Sequence, residues 1–204
     1  MMGKIEQGSQ EWHEFRKGGI GSSDIAALMG VCPYKKALQV YNEKSGFCEE
    51  KPSTPAMQKG KMYEPEARRK YNNKVSINYE PVCLIHPQMT YVRASLDGYD
   101  ADSNRIIEIK VPGRKTYDLI ADHNVPRHYY MQVQWQLGIA MACNNVFPRA
   151  DIIAYIPESN EMAYYTIDPD INLIHDMHQV AKQFWDNYLL GIPPENHKKQ
   201  RAMF

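Results

Sequence analysis

Ser95-Leu96-Asp97-Gly98 followed by Arg105-Ile106-Ile107-Glu108-Ile109-Lys110-Val111-Pro112 is the stretch on which the reading of this 204-residue chain turns. It places two carboxylates and an ammonium on adjacent strands. Side chains alternate along a strand, so residues i and i+2 share a face. Glu108 and Lys110 therefore project together, and Ile107, Ile109 and Val111 project the other way. Asp97, at the end of the preceding strand, reaches the same spot. Glu-x-Lys on a strand also fits a solvated face carrying a weak ion pair. The aliphatic neighbours of Glu108 instead suit a strand covered on both faces, and charge buried in such a run usually pairs or binds a metal.

The rest of the chain frames that pair of strands. Ser9 to Lys17 reads as a helix capped by Ser9, with Trp12 and Phe15 as apolar points. After Gly18-Gly19-Ile20-Gly21, a second helix runs from Asp24 to Met29, capped by Ser22 or Ser23. A third spans Lys35 to Lys44. Pro55 opens a long helix, Ala56 to Asn73, whose apolar stripe of Met57, Gly60, Tyr63, Ala67 and Tyr71 has Glu64 at its edge or turned inward. Strands follow over Ser76–Ile85, Tyr91–Leu96 and Arg105–Val111, the last two forming a hairpin through Asp100–Asn104. Further helices are expected over Arg114–Asp122 and Pro126–Cys143, the latter apolar on most sides with Gln132, Gln134 and Gln136 as polar members. Strands at Ala150–Ile156 and Glu161–Ile167 precede a final helix to about Leu190. The predicted architecture is α/β: one domain over residues 1–190, with a helical part at 9–73, a central mixed β-sheet at 74–167 flanked by helices, a helix at 169–190, and a tail at 191–204.

Composition narrows the function. Lys plus Arg and Asp plus Glu each number 24, so the chain does not hold nucleic acid by bulk positive charge. Local basic patches exist at Lys35-Lys36, Arg68-Arg69-Lys70 with Lys74, Arg114-Lys115, and Lys198-Lys199 with Arg201. The four cysteines, Cys32, Cys48, Cys83 and Cys143, are scattered. They suit neither a disulfide scaffold nor a zinc or iron–sulfur site and read as reduced thiols. His175 and His178 read as surface histidines. The segment Met1–Glu6 has no apolar core, so no secretory signal is expected, and no stretch approaches the ~20 apolar residues of a membrane span.

Two acids and a lysine suit phosphodiester hydrolysis. An anionic diester repels nucleophiles and its alkoxide leaves badly; divalent metals address both problems. Hard cations such as Mg²⁺ take carboxylate and carbonyl oxygens. Asp97 and Glu108 supply carboxylates, and the backbone carbonyl of Ile109 is a further oxygen ligand. Lys110 would orient the attacking water and stabilise charge on the phosphate. Glu64 would complete the cluster through a metal-bound water.

Asp97, ten intervening residues, then Glu108-Ile109-Lys110 resembles the PD-(D/E)XK nuclease motif. Trp12 to Ala27, Gly60-Lys61-Met62-Tyr63-Glu64 and Tyr130-Met131-Gln132-Val133-Gln134 narrow the resemblance to the phage lambda-type exonuclease, or YqaJ-like viral recombinase and alkaline exonuclease, group. It spans roughly Trp12 to Gly191. It implies a restriction-endonuclease-like core with Asp97, Glu108, the Ile109 carbonyl and Glu64 around two Mg²⁺ ions, Mn²⁺ substituting, and Lys110 serving the nucleophilic water. It also implies a pocket for a 5′-phosphate built from Arg16, Ser23, Ser95 and Gln132, consistent with an arginine fork beside hydroxyl and amide donors. The usual proline before the first aspartate is Leu96 here. The implied activity is 5′→3′ exonuclease on duplex DNA ends, releasing mononucleotides and leaving 3′ single strands. The implied partners are two further copies in a homotrimeric ring and a single-strand annealing protein, in the cytoplasm of a bacterium hosting a phage or prophage. Ser23 as a helix cap, Gln132 as a core amide and Arg16 as a surface residue are the plainer alternatives. An endonuclease or repair nuclease of the same superfamily, and a non-catalytic DNA-end-binding module, are the competing functions.

Overall fold

A computed structural model describes residues 2–3, 5–47, 54–144 and 146–195. Among these, one sheet of six strands is ordered as in the sequence. Its strands are β1 (Met2–Gly3), β2 (Glu80–Ile85), β3 (Arg93–Asp100), β4 (Arg105–Lys110), β5 (Arg149–Ile156) and β6 (Glu161–Ile167). All neighbours pair antiparallel except β4 and β5. A parallel pair needs a crossover. Here α5 (Arg114–Ala121) and α6 (Arg127–Cys143) supply it. The remaining helices are α1 (Gln10–Lys17), α2 (Ser22–Leu28), α3 (Ala37–Lys44), α4 (Pro55–Val75) and α7 (Ile171–Leu189). The expected α/β class, a mixed sheet flanked by helices, is what the chain forms.

Among the described residues strand alternation gives two large cores, beside a small third cluster of Trp12, Phe15 and Cys83 under α1. Ile106, Ile152 and Ala154 join Trp135, Leu137 and Ile139 of α6 and residues of α2 and α7. On the opposite face, Ile107, Ile109, Ile153 and Tyr155 pack with Ala67 and Tyr71 of α4. Glu108 lies on the α6 side of β4, and Ile107 and Ile109 on the α4 side, as the alternation requires.

Several boundaries differ from the sequence reading. β3 does not stop at Leu96 but runs through Asp97 to Asp100. Its register with β2 shifts there: Val82 faces Leu96 and Glu80 faces Tyr99, so Asp97 and Gly98 together oppose Pro81. That is a β-bulge, placed opposite a residue with no N–H for the ladder. The strand read from Ser76 begins at Glu80, because α4 continues to Val75 and ends on left-handed Ser76. Neither Ser22 nor Ser23 caps α2. Gly21 occupies the cap, and Asp24 reaches back to accept its N–H at 3.1 Å. His178 is not a surface histidine; it packs edge-on against His86 and Trp135. Cys32, Cys83 and Cys143 are free thiols. Cys48, the Lys198–Arg201 patch and most of the expected tail lie outside the described residues.

Candidate active site

The bulge decides where Asp97 points. The β3–β4 ladder runs from Asp100↔Arg105 to Gly98↔Ile107 and then stops. Two residues further along β4, the Ile109 N–H is taken at 2.7 Å by Oδ2 of Asp97 instead of by β3 backbone. The N–H and C=O of a strand residue point to the same edge, so the Ile109 carbonyl faces this gap as well. The carbonyl of Asp97, released from regular pairing, accepts NH1 of Arg68 at 2.5 Å. The same NH1 donates to Oε1 of Glu64 at 3.1 Å. Arg68 thus ties α4 to the bulge, and Glu64 is turned inward instead of lying at the edge of its helix. Arg68 is no part of a solvated basic patch.

Glu108 is only 2% exposed. Its Oε1 accepts Lys110 Nζ at 2.5 Å and Gln132 Nε2 at 2.7 Å. Its Oε2 accepts Gln136 Nε2 at 2.6 Å. Lys110 also donates to Gln132 Oε1 at 3.0 Å, and its ammonium lies 4.6 Å from the centre of the Tyr129 ring. Burial raises the Asp97 carboxyl well above the usual carboxylate range, and the charges of Glu108 and Glu64 push the same way. Glu64 is raised as well, by burial and by Glu108, against the pull of Arg68 and Lys110. Burial would lower Lys110, but Glu108 and Asp97 outweigh it and hold the ammonium charged.

The second group of candidates comes from the helical N-terminal part. Arg16, in the last turn of α1, donates to Ser23 Oγ at 3.0 Å. Because Gly21 and Asp24 make the cap, the Ser23 hydroxyl is not spent on it. The Arg16 guanidinium lies 4.6 Å from the centre of the Trp12 ring, and Trp12 Nε1 donates to Ser95 Oγ at 3.1 Å. Arg16, Ser23, Glu64, Ser95, Asp97, Glu108, Ile109, Lys110 and Gln132 all line one cleft of about 930 Å³. Gln132 sits on the acid side of it, bonded to Glu108 and Lys110.

Three residues here were not singled out from the sequence. Gln136 falls four residues after Gln132 on α6, and residues at that spacing share a helix face. That spacing was the available signal. Arg68 stands in the same relation to Glu64. Trp12 read as an apolar point, and its indole N–H bond to β3 had no signal in the sequence.

The donor set suits a hard divalent cation. Carboxylate and carbonyl oxygens line this cleft, and among the described residues Glu108 pairs with Lys110 and Glu64 with Arg68. The raised carboxyls are what a bound cation would reverse. Among the described residues no three acidic, histidine or cysteine side chains form a ready-made ligand cluster; Mg²⁺ is an ion that commonly keeps several water ligands.

The mixed sheet flanked by helices, whose β3–β4 hairpin brings Asp97, Glu108 and Lys110 to one cleft, has the fold of an alkaline exonuclease. The chain belongs to the YqaJ-like viral recombinase domain family, which it matches over residues 11–142. It is 23% identical over 189 residues to the uncharacterized protein YqaJ of Bacillus subtilis strain 168, covering 91% of this chain and 58% of that protein. The chain therefore spans little more than half the length of that curated relative. Its fold matches that of LHK-Exo, solved in complex with dAMP, at a TM-score of 0.72 and 24% identity over 90% of this chain and 94% of the other. LHK-Exo is the alkaline exonuclease of Laribacter hongkongensis. A phage-related exonuclease from Haemophilus somnus 129PT matches at a TM-score of 0.62 and 13% identity, over 85% of this chain and 96% of that one.

Proposed function

We propose that the protein is a Mg²⁺-dependent exonuclease that degrades linear duplex DNA 5′→3′. It would release mononucleotides and leave 3′ single strands for a single-strand annealing partner. The observation that carries this reading is the shared cleft. One side holds Asp97, Glu108, Lys110 and Glu64, and the other holds Arg16, Ser23 and Ser95. Family membership and the fold of an alkaline exonuclease support a nuclease, and a nucleoside monophosphate bound by a protein of that fold fits the expected product.

Each side has its own task. Asp97, Glu108 and the Ile109 carbonyl would hold two divalent ions, Mg²⁺ or Mn²⁺, with Glu64 reaching them through water. Such ions supply an activated water and neutralise the leaving oxygen. Lys110, which donates to Glu108 Oε1 and Gln132 Oε1, would orient the attacking water and offer its charge to the phosphate. Gln132 and Gln136 fix Glu108 from behind. Arg16 and Ser23 offer a guanidinium and a hydroxyl to a terminal phosphate dianion. That contact gives direction a physical cause, since each cut creates a new 5′-phosphate one nucleotide further on.

The homotrimeric ring belongs to this proposal. Enclosing the duplex would let a chain of zero net charge stay on DNA without a bulk positive field. Cytoplasmic location in a phage- or prophage-bearing bacterium belongs to it as well. Among the described residues no helix is long and apolar enough to cross a membrane.

Linear and covalently closed duplexes, each with Mg²⁺ or EDTA, test the reading. The linear form should be digested in Mg²⁺ alone and the closed circle should survive. Nicked or linearised circles would mean an endonuclease, and no digestion of either would favour a binding module.

A further inference from the structure

The chain between Arg16 and Ser23 has little regular structure to hold it. α1 ends at Lys17, α2 starts at Ser22, and Gly18, Gly19 and Gly21 lie between. Yet the Arg16–Ser23 contact needs both helix ends at fixed separation. Ile20 gives one anchor, through an isolated bridge to Val92. Arg93 gives a second, its NH1 donating to the carbonyl of Phe15 at 2.8 Å, and Lys44, from the last turn of α3, gives a third.

Lys44 is a lysine with only 6% of its side chain exposed. Its ammonium has three protons, and three acceptors converge on it. They are the carbonyl of Arg16 at 3.2 Å, the carbonyl of Gly19 at 2.5 Å and Oδ2 of Asp24 at 3.0 Å. The first belongs to the very residue whose guanidinium meets Ser23. The third belongs to the residue after Ser23, whose carboxylate also holds the Gly21 N–H. One buried cation therefore fastens the end of α1, the glycine linker and the first turn of α2 to a single point.

The charge arrangement agrees. Asp24 is a buried carboxylate one residue after Ser23. Burial alone would raise it, but Lys44, Lys35 and Arg16 outweigh that and hold the carboxyl far below its usual range. Lys35 takes its other oxygen at 3.3 Å. Without Lys44, the negative charge of Asp24 would be left less compensated next to the residue that is to meet the phosphate.

The geometry points to Lys44 as the positioning residue of the terminal-phosphate socket. It fixes Arg16 and Ser23 at the spacing a 5′-phosphate needs and screens that phosphate from Asp24. This rests on the reading of Arg16 and Ser23 as the socket. Lys44 touches no substrate itself and acts through the two helix ends.

The test is equilibrium binding in EDTA, by fluorescence anisotropy, of a blunt hairpin duplex ending in a 5′-phosphate or a 5′-hydroxyl. EDTA stops hydrolysis, so the ratio of the two Kd values reports the socket alone. The proteins are wild type, Lys44→Arg and the double variant Lys44→Met with Asp24→Asn. The double variant removes both buried charges together and so avoids leaving Asp24 unpaired, as Lys44→Met alone would. Thermal melting checks that each variant is folded. Wild type should prefer the phosphorylated end by tenfold or so, about the ratio one charge-assisted hydrogen bond gives. The folded double variant should bring the ratio close to one, mainly by weakening binding of the phosphorylated duplex. Lys44→Arg keeps the charge but not the three-way convergence, and should fall between. A folded double variant that keeps the wild-type ratio would overturn the role of Lys44 and leave the socket standing. A wild-type protein that does not discriminate between the ends would overturn the socket, and Lys44 with it.

Discussion

At Asp97 the chemistry and the stability pull apart. Its carboxyl is raised by burial and by two neighbouring acids, so the folded protein pays for a group that the reaction needs. Asp97→Asn should lower nucleotide release from linear duplex by at least about a hundredfold, the scale of losing one group matched to developing charge. The same variant should melt no lower than wild type, because the asparagine carries no like charge. Equal losses of activity and melting temperature would contradict this. Gln136 makes the complementary case. Gln136→Leu removes a 2.6 Å bond to Glu108 Oε2 without touching the cleft. Activity should fall roughly ten- to a hundredfold, the usual cost of losing the partner of a metal-binding carboxylate. The Mg²⁺ concentration for half-maximal rate should rise, and an unchanged Mg²⁺ requirement would remove Gln136 from the site. Glu108, Lys110 and Asp97 were legible because strand alternation alone groups Glu108 with Lys110. Gln136 was legible only as a polar residue on a buried helix, since its partner lies on another element.

On the scale of elements, the hairpin of β3 and β4 is the working part and the bulge its working detail. A Cβ on Gly98 would lie 2.5 Å from Ile107 Cγ1 and 2.8 Å from Tyr79 Cβ. Gly98→Ala should therefore cost about 1–3 kcal/mol, as overpacking of a filled core does. It should also depress activity beyond what the stability loss explains, by moving the neighbouring Asp97. Urea denaturation and a rate measured well below the melting temperature separate the two effects. The periodicity of α4, α6 and the strands sufficed to place nearly every element. Two local features escaped it. Asp and Gly are poor strand formers, so β3 read as ending before Asp97, whereas the bulge lets both residues remain in the strand. The bulge is defined by register against Pro81, and pairing register between distant segments is not written in either segment alone. Ser22 and Ser23 read as caps from composition, whereas the capping work falls to Asp24 three residues after Gly21, the reciprocal half of a capping box.

For the molecule as a whole, the cleft is lined from both layers: α1 packs on Cys83 and Ser95, on the face of the sheet opposite the core that α2 shares with α6, and Arg16 and Asp97 line one opening. Each residue could be nominated from the sequence, but their meeting depends on the layers. The same layering buries His178 between α6 and the end of β2. Burial pushes that imidazole down to about 4, with His86 and His175 adding to the effect. A histidine whose folded value is depressed gives stability that is present above its ordinary pKa of ~6.5 and is lost as pH falls toward 4. Unfolding free energy should drop by at most about 3 kcal/mol across that range. His178→Gln should flatten the slope between pH 6.5 and 4, measured by urea denaturation, and an unchanged slope would place the acid sensitivity elsewhere. The central claim concerns direction and metal, and one digestion reads both. A linear duplex with 5′-phosphates is labelled in separate samples at its 5′ and 3′ termini and incubated with Mg²⁺ or with EDTA. The 5′ label should leave first as mononucleotide in Mg²⁺, the 3′ label should stay in long single strands, and EDTA should stop both. Release of the 3′ label first, or release that continues in EDTA, would contradict the account.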